Sequence, residues 1–410
     1  IKNAAGEVVV EKDALIELGT TDEEGKLVFQ ADLPHGKYYI QEVEHKPGYL
    51  PNDEVCSFDA SYTDQTLELL AFSEEISNQP TITEFTKVDL TGGQEIEGAK
   101  MQILDQEGKV VEEWVSKKEA HIVYALAPGE YILHEEQAPT EQGYVRAEDV
   151  KFVVEETGDV QKVKMEDDHT KVSISKTDIT DGKEIEGAKL QILDQDGEVV
   201  ESWTTGEEHL IEYLPVGTYT LHEEAAVDGY IVANDVEFTV EETGEIQKVK
   251  MEDERAMGQL VIVKTDTDSK AALEGVEFVL LEKETGKEVG RLKTGKDGKA
   301  VSELLPIGTY ENGVFKEPIT YVLKETATLK GYEKTEEEWE IVFTYQNDKT
   351  PVIEVVKEIQ NKKIPETPGT VKPGPKTGDD TNWFLPLLAL GVSAGMVAGL
   401  LYYRKRHKKA

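Results

Sequence analysis

Apolar and polar residues alternate with a period of two along most of this chain, in short runs broken by turn residues. Asp196-Gly197, Asp297-Gly298 and Pro128-Gly129 are among the punctuating pairs, and such runs between such turns predict short β-strands. No stretch before residue 383 sustains a 3.6-residue period. The crossover helices of a parallel α/β sheet are therefore missing from the pattern. About seven strands per ~90 residues predict an all-β sandwich.

The pattern repeats. EIEGAKMQILDQEGKVVEEW at 95–114 returns as EIEGAKLQILDQDGEVVESW at 184–203, and FVVEETGDVQKVKMED at 152–167 as FTVEETGEIQKVKMED at 238–253. A looser copy opens at residue 260, and residues 1–9 align with 103–111. Internal repetition of this kind implies tandem copies of one unit. The expected division is 1–79, lacking its first strand, then 80–168, 169–254 and 255–363. Ile1 rather than Met opens the chain, which reads as the C-terminal piece of a longer protein.

Alternation also says which side chains share a face. On the opening strand Val172, Ile174 and Lys176 fall together, as do Leu260, Ile262 and Lys264, and less cleanly Thr83, Phe85 and Lys87. A second strand aligns Tyr131, Leu133 and Glu135, with counterparts ending on Glu223, Glu325 and Glu42. The closing strand aligns Val163, Met165 and Asp167, then Val249, Met251 and Asp253. The last unit ends on Ile359 and Asn361, the first on Ile76 and Asn78. Each complete unit thus aims one Lys, one Glu and one Asp or Asn at a core. An unpaired buried charge costs several kcal/mol, so these groups must meet. Burial disfavours both charged forms, so a Lys and an acid can exchange the proton and become neutral. A neutral amine beside a carboxyl or carboxamide carbon is a nucleophile next to an electrophile. A protonated Glu could polarise the carbonyl and shuttle the proton. The product would be an isopeptide bond. A buried ion network without covalent chemistry, or solvated lysines, would satisfy the same pattern.

Charge and the C-terminus narrow the setting. The net charge is −39, and five basic residues (Arg404, Lys405, Arg406, Lys408 and Lys409) are confined to the last seven positions. Such a surface repels phosphate backbones, which excludes nucleic acid as a partner. A hydrophobic content of 38% still allows buried cores. Residues 383–403 carry no charge, and Trp383, Tyr402 and Tyr403 mark their ends. At about 31 Å this run predicts a single transmembrane helix. The basic tail at 404–410 would be cytoplasmic, placing residues 1–382 outside.

Residues 364–376 form a Pro-rich spacer leading into Pro375, Lys376, Thr377 and Gly378. This order resembles the cell-wall sorting signal of Gram-positive surface proteins, Leu-Pro-x-Thr-Gly, with Gly374 in the Leu position. The resemblance implies that a sortase cleaves after Thr377 and passes the chain to a peptidoglycan precursor. A single-span membrane protein with a chance match is the plain alternative.

The units themselves resemble the Cna B-type or SpaA-like domains of Gram-positive adhesins and pilins, an Ig-like, prealbumin-like sandwich locked by a self-formed Lys–Asn/Asp bond. The family's Glu motif is Tyr-x-Leu-x-Glu-Thr-x-Ala-Pro-x-Gly-Tyr. YVLKETATLKGY at 321–332 follows it but carries Thr328-Leu329 for Ala-Pro. YTLHEEAAVDGY at 219–230, YILHEEQAPTEQGY at 131–144 and YYIQEVEHKPGY at 38–49 are looser versions. The resemblance implies bonds Lys87–Asp167, Lys176–Asp253 and Lys264–Asn361, with Glu135, Glu223 and Glu325 as proton shuttles. It leaves Glu42 and Asn78 without a Lys.

Other signals carry little. The Asp-rich loop at 177–187 places Thr177 and Ile179 where an EF-hand needs acids. His134 and His222 point away from the proposed faces. Cys56 shares a face with Phe58 and Ala60 and reads as a small buried hydrophobe. No cofactor or metal constellation recurs, and no enzyme activity is expected beyond the self-directed reaction. The expected role is a wall-anchored extracellular stalk of an adhesin, its partners sortase, peptidoglycan precursor and, through an upstream region, a host or matrix protein. An accessory or basal pilin, or a surface enzyme with an upstream catalytic domain, are the alternatives. A Tyr-Pro-Lys-Asn segment, which polymerising pilins use, is absent from the sequence.

Overall fold

In the computed structural model residues 1–61 and 70–365 are described. The sorting segment at 375–378 and the apolar run at 383–403 lie outside the described residues. Among those described, no helix is long and apolar enough to cross a membrane.

The period-2 runs become strands, and each repeat from residue 81 on pairs two four-stranded sheets. In the second repeat Ile82–Asp89 lies between His121–Tyr124, antiparallel to it, and Val160–His169, parallel to it. The facing sheet runs Val110–Val115, Lys100–Leu104, Gly129–Gln137, Val150–Val154. The third repeat copies this, with Lys171–Asp178 between His209–Glu212 and Ile246–Arg255. In the fourth, Met257–Asp266 takes the same place beside Val352–Asn361. Each repeat has its own core, exemplified by Phe85, Met101, Ile103, Leu133 and Met165. Burying each such side chain contributes about 1.5–3 kcal/mol. The fourth repeat adds a hairpin, Gly308–Glu311 with Val314–Pro318. Its turn residues Asn312 and Gly313 both have positive φ, as a type I′ turn demands.

The first segment departs from the expected series of strands. Among its described residues there is one two-stranded sheet, Gly36–Gln41 with Val55–Ala60, and Leu15 and Val28 stay 76% and 72% exposed. In the other repeats the Lys-bearing strand sits mid-sheet and supplies partners on both sides. Cys56 is half-buried rather than buried.

Successive repeats meet through one recurring joint. The carbonyls of Gly48, Gly143 and Gly229 accept the amides of Thr81, Thr170 and Ala256 at 2.8–2.9 Å. Gly143 has φ +80°, and a Cβ there would lie 2.3 Å from the Tyr213 carbonyl oxygen of the next repeat. Gly108 has a similar φ with open space around it. Both Gly→Ala changes carry the same left-handed strain, about 1 kcal/mol, but only Gly143→Ala should force a joint apart. Limited proteolysis near residue 170 should therefore accelerate in Gly143→Ala and not in Gly108→Ala. Equal rates would remove the joint's role.

Candidate functional site

The parallel pairing of opening and closing strands creates the site. Lys87 stands opposite Met165, and Asp167 opposite Asp89, so Lys87 and Asp167 are diagonal neighbours on one face. Glu135 reaches them from the facing sheet. The Lys87 Nζ donates to Asp167 Oδ1 and lies 2.9 Å from Glu135 Oε2. The third repeat is the same, with Lys176 donating to Asp253 Oδ1 and 2.9 Å from Glu223 Oε2. In the fourth, Lys264 donates to Asn361 Oδ1 and lies 3.1 Å from Glu325 Oε2. Lys176 and Lys264 are 1% and 0% exposed, and their partners are buried with them. All nine residues expected to meet do so.

Each Glu is fixed from a second direction. The Ala147 amide donates to Glu135 Oε2 at 2.7 Å, and the Ala233 amide to Glu223 Oε2 at 2.6 Å. Glu325 instead accepts Asn361 Nδ2–H through Oε1 at 2.7 Å. Its two oxygens therefore face the amine and the amide nitrogen. Thr328 Oγ1 accepts the second Nδ2 hydrogen at 2.7 Å.

The electrostatics differ between the acid and amide versions. Burial pushes the Asp167 carboxyl up to about 7; Lys87 opposes this, while the neighbouring Glu135 carboxyl adds to it. Asp253 is pushed up to about 7 for the same reasons, with Glu223 and Lys176 in those roles. Glu135 Oε1 and Asp167 Oδ2 are buried without a protein donor, as are Glu223 Oε1 and Asp253 Oδ2. One shared proton would satisfy each pair. Burial lowers the Lys264 pKa against the opposing pull of Glu325, and the Phe278 ring lies 5.9 Å from its Nζ. A neutral amine becomes accessible there, and a neutral carboxyl in the other two repeats.

In the first segment Asn78 Nδ2 donates to both oxygens of Glu42 at 2.8–2.9 Å and to the Leu50 carbonyl at 2.9 Å. The Glu and Asn meet there as the strand parity implied. His134 and His222 pair with Asp149 and Asp235 at 2.6 and 2.7 Å on the opposite face.

Sequence reading missed a recurring buried acid, Asp89, Asp178 and Asp266, two residues after each Lys. Each closes the turn after its strand by accepting backbone amides, as Asp89 does from Thr91 and Gly92. Asp89 also accepts the Tyr213 hydroxyl of the next repeat at 2.8 Å. Asp178 binds Tyr230 and Arg255 at 2.8 and 2.5 Å, and Arg255 stacks on Tyr310 of the fourth repeat. The signal was available as Lys-x-Asp in all three repeats.

Comparison with known proteins settles the family. The SpaA prealbumin-like fold domain matches residues 1–72, 81–169, 170–255 and 258–318. The chain belongs to this family. A search of curated proteins returns no match. Among solved structures, the Bacillus anthracis TIE protein is 26% identical, covering 76% of this chain and 55% of that one, with a TM-score of 0.48. The chain thus spans about half the length of that protein. BcpA, the major pilin subunit of Bacillus cereus, is 15% identical over 69% of this chain and 99% of that one, TM-score 0.40. A streptococcal ancillary pilin is 16% identical over 70% and 99%, TM-score 0.29. The SpaA-type repeats of this chain are all-β, and they are arranged in tandem.

Proposed function

We propose that this chain is a sortase-anchored extracellular stalk whose sandwiches are locked by self-formed isopeptide bonds, Lys87–Asp167, Lys176–Asp253 and Lys264–Asn361. The observation that carries it is the same buried arrangement in three repeats: an amine touching a carboxyl or carboxamide, with a carboxylate within 3.1 Å of the amine. In each, the amine nitrogen attacks the side-chain carbon. One amine proton passes through Glu135, Glu223 or Glu325 to the leaving group, which departs as water from Asp or ammonia from Asn. No oxidant or cofactor is needed, and the reaction is not a turnover activity.

Stiffness is the purpose. The links close loops of 80, 77 and 97 residues. By the loop-closure argument used for disulfides each stabilises its repeat by about 4–5 kcal/mol. The residues Pro375 to Gly378 would hand the chain to a sortase and peptidoglycan, with the 383–403 run as membrane anchor until then. The partner held away from the cell by such a stalk would be a host or matrix protein. A pilin subunit would use the same clamped units.

Intact mass tests the covalent core of this reading. The chain should be lighter than its sequence mass by two waters and one ammonia. A mass equal to the sequence reduces the three sites to buried ion networks.

A further inference from the structure

We infer that Thr328 is a positioning residue that fits the fourth repeat to a carboxamide rather than a carboxyl as the bond-forming partner; this rests on the crosslinking reading above. Thr328 stands where the family's Glu motif has Ala. The strand register confirms the equivalence: Ala327 pairs with Glu277 as Gln137 pairs with Lys100 and Ala225 with Lys189, each beside a bulge. Thr328 therefore corresponds to Ala138 and Ala226. Across the three complete repeats the side chain at this step changes with the partner, hydroxyl with Asn361 and methyl with Asp167 and Asp253.

The contacts explain the covariation. A carboxamide offers two hydrogens on its nitrogen and needs two acceptors. Glu325 Oε1 and Thr328 Oγ1 supply them, each at 2.7 Å, leaving Asn361 Oδ1 turned to the Lys264 amine. A flipped amide would set Oδ1 against the Glu325 carboxylate and strand two hydrogens. The hydroxyl thus holds the electrophilic carbon in one presentation and keeps the departing nitrogen beside the Glu that must protonate it. In the reaction the Nζ–Cγ bond forms and the Cγ–Nδ2 bond breaks. One proton moves from Nζ to Glu325 Oε2, another from the Glu to Nδ2, and ammonia leaves.

At the two Asp sites a hydroxyl here would be harmful. Asp167 Oδ2 and Asp253 Oδ2 have no donor, which favours the neutral carboxyl. A Thr hydroxyl could donate to such an oxygen and hold the unreactive carboxylate. The first segment meets the same need by another route. It has His45 at this step, and Asn78, also a carboxamide, has its nitrogen held beyond the Glu by the Leu50 carbonyl.

The experiment follows linking in the full chain during cell-free synthesis, quenched at intervals and mapped by peptide mass. The Lys87–Asp167 and Lys176–Asp253 peptides serve as internal clocks. Thr328→Ala should slow the Lys264–Asn361 link about tenfold, the worth of one hydrogen bond in the rate, and Thr328→Ser should stay near wild type. The double variant Thr328→Ala with Asn361→Asp should link through loss of water at the pace of the middle repeats. That recovery would also show that alanine is accommodated in the fold. A wild-type rate in Thr328→Ala, an equal fall in Thr328→Ser, or an unlinked double variant overturns the inference. A wild-type chain that links its middle repeats but never Lys264 to Asn361 would sink the crosslinking reading for this repeat, and this role with it.

Discussion

Glu325→Gln is expected to leave Lys264 and Asn361 unlinked, so that the chain keeps one ammonia that the unaltered protein loses. Gln has nearly the shape of Glu but cannot take a proton from the amine and return it to the amide nitrogen. The consequence for stability is large, about 4–5 kcal/mol in the fourth repeat. For a sandwich of this size that is on the order of 20 °C in its thermal transition, while the other two clamped repeats keep theirs. Calorimetry alone would not decide the matter. In a purely ionic cluster the same change strands a buried ammonium and costs a comparable 3–5 kcal/mol or so. Peptide mass separates the two cases, since only a covalent site changes its ammonia deficit.

Force spectroscopy reads the same variant in a second way. Opening and closing strands run parallel, so in a linked repeat tension entering at Met257 would travel to Lys264, cross to Asn361 and leave. The segment between them, a sequence separation of 97, would bear no load while the link stands. Breaking it should release about 330 Å of chain, at roughly 3.4 Å per residue. Glu325→Gln should show that extension and wild type should not. An extension in both would mean that the repeats are unclamped.

Much of this site was legible in the sequence because β-structure has an integer period. Parity alone put Lys176 with Val172 and Ile174, and Glu223 with Leu221; burial follows that alternation along Gly217–Ala225, whereas on Lys171–Asp178 the opposite-parity Ser173 and Thr177 are buried as well. Parity says nothing about which strands become neighbours. The diagonal contact of Lys87 with Asp167 depends on a parallel pairing across nearly the whole repeat, and the family resemblance supplied it. Asp89, Asp178 and Asp266 were passed over because an Asp at a strand end reads as ordinary turn chemistry. Asp89 is covered when the next repeat brings up Tyr213, and Asp178 when Arg255 folds back. The joint glycines were visible only as part of a motif, since a close approach between repeats leaves no mark in local hydropathy. Thr328 was visible only as a departure, whose meaning came from the Asn361 nitrogen it accepts. In the first segment the alternation persists, but among its described residues the pairing is confined to Gly36–Gln41 with Val55–Ala60 and isolated bridges.

The acid and amide repeats should separate sharply with pH. In the middle repeats the reactive form has a neutral Lys and both carboxyls protonated. It carries the same number of protons as an ammonium with one neutral carboxyl and one carboxylate. That population exists below the raised pKa of Asp167 and Asp253, about 7 in each, and is depleted above it. The group is an acid pushed upward, chiefly by burial, so its neutral form is lost as pH rises through that value. Linking at both sites should therefore slow about tenfold for each pH unit above 7. In the fourth repeat a carboxamide, Asn361, stands in place of that Asp. Its reactive form, a neutral amine with a protonated Glu325, differs from the ion pair only in where one proton sits. Its rate should stay flat from about pH 6 to 9, helped by the burial that lowers Lys264. Time courses of the three crosslinked peptides within one chain make the comparison internal. Parallel profiles at all three sites would mean that the Asp protonation state does not control the step. Faster linking of the middle repeats at alkaline pH would mean that the amine alone limits it, and the shared proton between Glu135 and Asp167 would have no part in the chemistry.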